Sequence, residues 1–143
     1  MYENLDLYID GKFTQGSSGV GQDVLNPAKD SVLGKLPYAK KAELDAALKA
    51  AEKGFATWKK VSAFERSKIL RKAADLLRER ADAIATVLTQ EQGKVLAEAK
   101  LEVQGAADII DWFAVEGRRA YGRIIPARAD GVRIVRSEER CAR

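Results

Sequence analysis

Residues 89–122, TQEQGKVLAEAKLEVQGAADIIDWFAVEGRRAYG, put a helix stop, a charged helix start and an aromatic-rich amphipathic helix in one unbroken order, which constrains the fold more than any other stretch. Gly93 is placed to take the left-handed C′ position that closes one helix. The next helix is expected over residues 95–121, with Val103, Ala106, Ala107, Ile110, Phe113, Ala114, Gly117 and Tyr121 on one side. Glu98 and Glu102 in its first turns suit the positive end of the helix dipole, and Arg118 and Arg119 in its last turns suit the negative end. Gly105 and Gly117 each cost about 1 kcal/mol relative to alanine inside a helix, so close approach of another backbone is the expected reason for them.

Two further helices lead into this stretch. Over residues 41–60, Leu44, Ala47, Leu48, Ala51, Phe55 and Trp58 recur at steps of three and four and form one apolar stripe. Ser62-Ala-Phe-Glu65 then reads as a capping box, in which the serine hydroxyl accepts the amide of Glu65 and the glutamate accepts the amide of Ser62. The stripe that follows is Ile69, Ala73, Leu76, Leu77, Ala81, Ile84 and Leu88. A helix of about thirty residues is long for a globular protein, so a kink or break is expected near residues 79–82.

Short strands flank the helices. Asp10-Gly11, between the β-prone runs of residues 7–13, reads as a type I′ hairpin turn because both positions want φ > 0. Residues 23–26 and 31–36 form a second pair around Asn26-Pro27-Ala28-Lys29-Asp30, where proline presets φ and Asn and Asp supply local hydrogen bonds. After Gly122, residues 123–126 and 132–136 read as two strands joined through Ala129-Asp130-Gly131, with Pro126 confined to an edge.

At 143 residues, 46% hydrophobic and 32% charged, the chain is the size of one domain and apolar enough to bury a core. No apolar run nears the roughly 18 residues that span a bilayer, and the acidic N-terminus lacks a signal-peptide core, so a cytoplasmic protein without a membrane partner is expected. One cysteine and no histidine exclude an intramolecular disulfide, a Cys/His metal site and a Ser-His or Cys-His pair. The net charge of +4 is unevenly placed: residues 118–143 hold eight arginines against Asp130, Glu138 and Glu139, a surplus of five. Such an end suits an acidic partner, but it lacks the interleaved aromatics on which single-stranded nucleic acid stacks, and a solvated strand pair is the preferred reading.

Three small motifs reduce to structure. Gly16-Ser-Ser-Gly19-Val-Gly21 has the wrong glycine order for a dinucleotide fingerprint and opens a strand, so its amides are not gathered at a helix end; it reads as a surface loop. Gly93-Lys94 lacks the upstream glycine and following Ser/Thr of a Walker A loop. Cys141 has arginine neighbours that lower a thiol pKa, but no base or oxyanion loop accompanies it, and it reads as an adventitious terminal thiol.

The core E-x-G-K-x-x-x-E-A (Glu91, Gly93, Lys94, Glu98, Ala99), the run D-W-F-A-x-E-G-R-R-x-Y-G over residues 111–122 and the N-P-A turn at Asn26 together resemble the N-terminal third of an NAD(P)-dependent aldehyde dehydrogenase, most similar to the succinate-semialdehyde group. The resemblance covers about residues 7–135. It implies an α/β fold of which this chain holds the N-terminal part: short β-hairpins, three amphipathic helices and a final β-hairpin, with the Rossmann sheet and catalytic domain elsewhere. By the same resemblance, residues 1–122 decorate the cofactor domain and residues 123–143 begin the strands that cross to a partner subunit.

In such an enzyme a cysteine thiolate attacks the aldehyde, hydride passes to the nicotinamide, and a glutamate base activates the water that releases the acid. None of these groups, nor the oxyanion-stabilising asparagine or the NAD(P)-binding segments, has an expected counterpart here. The chain alone is therefore expected to bind no cofactor and to show no dehydrogenase activity, to expose apolar surface and to self-associate as its parent forms homo-oligomers. Trp112 and Phe113 carry two readings. Both are packing groups on the third helix, or, as the resemblance implies, one of them lines the aldehyde-entry tunnel beside that helix. Glu91, Lys94, Glu98 and Glu102 read as helix-end and ion-pair residues.

The family continues with R-E-P-x-G where this chain has Arg136-Ser-Glu-Glu-Arg-Cys-Ala-Arg143, which reads as a truncation or a shifted frame. The rival from another class is a small helical interaction module whose basic end meets an acidic partner.

Overall fold

The computed structural model describes residues 5–136; Cys141 and the tail that departs from the family pattern lie outside them. Two antiparallel hairpins come first: β1 (Leu7–Ile9) with β2 (Lys12–Thr14), and β3 (Gly21–Asn26) with β4 (Ser31–Pro37). Asp10 and Gly11 both take positive φ, 49° and 80°, as the type I′ turn requires. In the second hairpin the register shifts between Val24 and Leu25, and the turn is closed by the amides of Lys29 and Asp30 on the carbonyl of Asn26 and by the amide of Ala28 on the Asn26 side chain.

Four helices follow: α1 (Lys41–Trp58), α2 (Ala63–Glu79), α3 (Ala81–Gln92) and α4 (Leu96–Glu116). The long second helix read from the sequence is thus two, broken at Arg80 within the span expected to yield. Ser62 caps α2, its hydroxyl accepting the amide of Glu65 at 3.2 Å, but the expected return bond does not form and the Glu65 carboxylate pairs with Lys68 instead. Gly93 ends α3 at φ 72°, with its amide on the carbonyl of Thr89. A third hairpin, β5 (Arg123–Pro126) with β6 (Arg133–Arg136), closes the described chain, with Pro126 at the strand end, and every residue of both strands is exposed.

α2 and α3 both pack on α4, α3 also touches β3, and α1 rests mainly against β1. The core between them is small-sided. Ala85, Ala99 and Val103 form its centre with Ala81, Ile84 and Leu88 around them, and Ala74, Ala107, Ala114 and Ser67 are buried at the remaining contacts. No large side chain is fully buried among the described residues. Alanines let helix backbones approach closely but remove little apolar surface from water, so these helices hold together through fit more than through hydrophobic area.

Several sequence expectations need correction. α4 ends at Glu116, so Gly117 is its C-cap and not an interior residue, and a Cβ placed there would meet only the carbonyl of Phe113 in its own helix, at 3.2 Å. A Cβ on Gly105 would meet nothing within 4 Å, so no backbone approaches it. The stripes were read too wide. Phe113, Ala106, Ile69 and Ala73 are exposed, while Ser67 and Ala74, which those stripes omit, are buried. The large residues of the α1 stripe lack a covering layer: Leu44, Leu48, Phe55 and Trp58 are all exposed, Ala47 is half-buried and α1 fully buries no residue. Periodicity identifies the apolar faces of a helix without showing which of them finds a partner within the chain.

Among the described residues, no helix is long and apolar enough to cross a membrane.

Candidate functional site

α4 carries the residues singled out from the sequence, and at about 3.6 residues per turn its side chains sort into three sectors. Ala99, Val103, Ala107 and Ala114 form the buried sector, with half-buried Ile110 among them. Leu101 and Trp112 lie opposite it, with Ile109 toward one flank and Phe113 beside the buried sector; all four are exposed, Trp112 at 66% and Phe113 at 61%. The two aromatics are successive residues, so they point about 100° apart and offer a broad apolar face. Both sit on one helix, as expected, and neither packs into the core of the described chain.

A charged seam separates those sectors. Arg78, in the last turn of α2, places Nη2 2.8 Å from Oδ1 of Asp108 and 2.7 Å from Oδ2 of Asp111, one turn apart on α4. Asp75 adds a looser contact at 3.8 Å, and Gln104 donates to Asp108 at 3.3 Å. Hydrogen bonds to Asp108 and then Asp111 raise the Arg78 pKa above its ordinary value, and the same guanidinium holds Asp108 below the usual carboxylate range. Sequence reasoning missed this cluster. Its visible signal is the pair of aspartates at i and i+3 flanking an apolar helix face.

The motif residues of the α3–α4 junction are brought together with the N-P-A turn. A Cβ on Gly93 would lie 3.1 Å from Cγ of Pro27, so the turn packs against the helix stop and a larger residue there would have to displace the proline ring slightly while holding a left-handed φ. Lys94 forms an ion pair with Glu102, which raises the pKa of the lysine, and Lys100 reaches Asp82 at 2.8 Å. Glu98 stands in the first turn of α4. The Lys100 pair fastens α4 to α3, and the Lys94 pair ties the junction to α4. At the other end of α4, the Arg118 guanidinium lies 4.2 Å from the centre of the Phe64 ring and joins this end to the start of α2.

The glycine loop lines a shallow open pocket with Gln15, Val20, Lys35 and Pro37. Its fit to a pyrophosphate is poor. The loop enters β3, and the nearby start of α1 is already served by an acid: Glu43 accepts the amides of Ser17 and Lys40, each at 2.8 Å. Hydrogen bonds from Ser17 and then Lys40 hold that carboxyl below its ordinary pKa, so negative charge sits where a phosphate would need donors.

The profile of the aldehyde dehydrogenase family matches residues 13–139. A 4-(hydroxymethyl)benzenesulfonate dehydrogenase of Comamonas testosteroni is 41% identical over 134 residues, 94% of this chain and 28% of its own length. The NADP(+) succinate-semialdehyde dehydrogenase of Escherichia coli K12 is also 41% identical, over 89% of this chain and 26% of its length. Among solved structures, an aldehyde dehydrogenase from Brucella melitensis biovar abortus 2308 superposes with a TM-score of 0.85 at 42% identity, over 91% of this chain and 27% of that one. The chain thus spans little more than a quarter of the length of the relatives it matches, at the N-terminal part of the family.

Proposed function

The chain belongs to the aldehyde dehydrogenase family, and from that premise we propose that it is the N-terminal scaffold of an enzyme oxidising an aldehyde to a carboxylic acid with NAD(P). Succinic semialdehyde is the favoured substrate. Residues 1–122 serve as the helical and hairpin part of the cofactor domain, residues 123–143 begin the oligomerisation strands, and the enzyme works as a cytoplasmic homo-oligomer. In this reading the chain alone is inactive, because the nucleophile, the base and the NAD(P) site are supplied by other polypeptide. The glycine loop and Glu43 do not suit the phosphates of such a cofactor.

The observation that carries the proposal is the bare sector of α4. Leu101, Ile109, Trp112 and Phe113 stay exposed behind and beside the buried face, which is what a helix lying between a scaffold and a further layer needs. Trp112 or Phe113 lines the aldehyde-entry tunnel at that layer. The preference for succinic semialdehyde rests on the sequence motifs; relatives named for a benzenesulfonate alcohol and for succinate semialdehyde stand at the same 41% identity.

The test is reconstitution. The purified chain is assayed for NAD(P)H formation with succinic semialdehyde, alone and after mixing with the C-terminal remainder of the Escherichia coli relative. Activity only in the mixture is the expected result. Turnover by the chain alone would overturn the scaffold reading, and a mixture as inactive as its separate parts would count against it.

A further inference from the structure

The interface between α2 and α4 poses a problem of register. Its buried residues are Ser67 and Ala74 on one helix and Ala107 and Ala114 on the other, small side chains that let the backbones close up but differ little in shape from one turn to the next. Two contacts distinguish one axial position from the next: at one end the Arg118 guanidinium lies over the Phe64 ring, and at the other the Arg78 guanidinium bridges Asp108 and Asp111 at 2.8 and 2.7 Å. Arg78 and Asp111 are about one-third exposed, at 31% and 33%, while Asp108 is 61% exposed, and the planar guanidinium is rigid enough to hold two acceptors at a fixed spacing.

From this arrangement we infer that Arg78 is a positioning residue, the pin that fixes the register and rotation of α4 on α2 and so sets where the Trp112 face is presented. The location of the pin supports that role. Asp108 and Asp111 occupy the seam between the alanine sector and the bare sector, and Trp112 follows Asp111 directly, so a slip of α4 by one turn moves the indole by about 5 Å. Polar contacts within a weakly specific apolar interface are well suited to selecting a register. In the dehydrogenase reading, on which this last step rests, Arg78 thereby shapes the aldehyde tunnel without touching substrate.

Distances between two spin labels test the pin in the 143-residue chain. Cysteines replace the exposed Lys72 on α2 and Ala106 on α4, with Cys141→Ser to remove the native thiol. The parent is expected to give one narrow distance. Arg78→Met is expected to keep its helical circular dichroism while the distribution broadens or gains a component displaced by about 5 Å. Inverting the charges, with Arg78→Asp and Asp108→Arg, is expected to restore the narrow distribution. An unchanged narrow distance in Arg78→Met overturns the inference. Loss of helicity in both Arg78→Met and the double variant Asp108→Asn/Asp111→Asn also overturns it, because Arg78 is then a stability element and not a register pin. In the reconstituted enzyme, Arg78→Met is expected to raise the aldehyde KM and the inverted pair to lower it again. If Trp112→Ala leaves that KM unchanged, the tunnel reading fails while the pin stands.

Discussion

The two faces of α4 have nearly opposite composition and fate. One is built of Ala99, Val103, Ala107 and Ala114 and is buried against α2 and α3; the other carries the larger Leu101, Ile109, Trp112 and Phe113 and meets no layer of the described chain. In a self-sufficient domain the large side chains go inward, because each fully buried one contributes about 1.5–3 kcal/mol and an alanine far less. Here the larger apolar groups of α4 stay exposed among the described residues, and the helices are joined by close approach and ion pairs.

The contrast breaks most completely if a charge is placed on the packed face. Val103→Asp buries an unpaired carboxylate at the centre of the small core and is expected to cost on the order of 3–5 kcal/mol, read as loss of a cooperative urea transition. Next in size is Gly93→Ala, which forces a left-handed alanine against Pro27; the left-handed backbone alone costs about 1–2 kcal/mol, and a lowered urea midpoint at unchanged slope checks it. A smaller effect comes from acid. Asp108 has a folded pKa below its unfolded value because Arg78 bonds its charged form, so its contribution is whole above the ordinary aspartate range and is lost as pH falls through the folded value. The Asp108→Asn variant should therefore show a flatter fall in urea midpoint between neutral pH and pH values below that range. The smallest effect belongs to the bare face, where Trp112→Ser is expected to change stability by less than about 0.5 kcal/mol while lowering self-association measured by light scattering. A large loss of stability in Trp112→Ser would mean that the two faces are not as different as described.

Local chemistry was legible in the sequence wherever one residue decides the backbone. Asp10-Gly11 turns as expected, Ser62 caps α2, Gly93 stops α3 and the long second helix breaks at Arg80. The burial pattern was legible in part. Periodicity located the apolar sectors, but the structure buries Ser67 and Ala74 and exposes Ile69 and Phe113, because a helix hydrophobic on two sides gives no local signal of which side is covered. Gly105 illustrates the same limit: a glycine in a helix suggests close packing only if a neighbour exists, and none approaches it. Arg78 escaped notice for a different reason, since its partners lie thirty and more positions away and an ion pair between helices leaves no local period. Trp112 and Phe113 do lie on α4, but Phe113, expected on the packed stripe, is exposed like Trp112.

Hydroxyl-radical footprinting of α4 gives the most direct test of the division between its faces. Labelling of Leu101, Ile109, Trp112 and Phe113 is compared with that of Val103 in the chain alone and after adding the C-terminal remainder of the Escherichia coli relative. The account predicts strong labelling of the four bare residues in the chain alone, weak labelling of Val103 throughout, and protection of Trp112 and Phe113 on mixing. Equal labelling of both faces in the chain alone, or no protection in a mixture that has gained dehydrogenase activity, would contradict it.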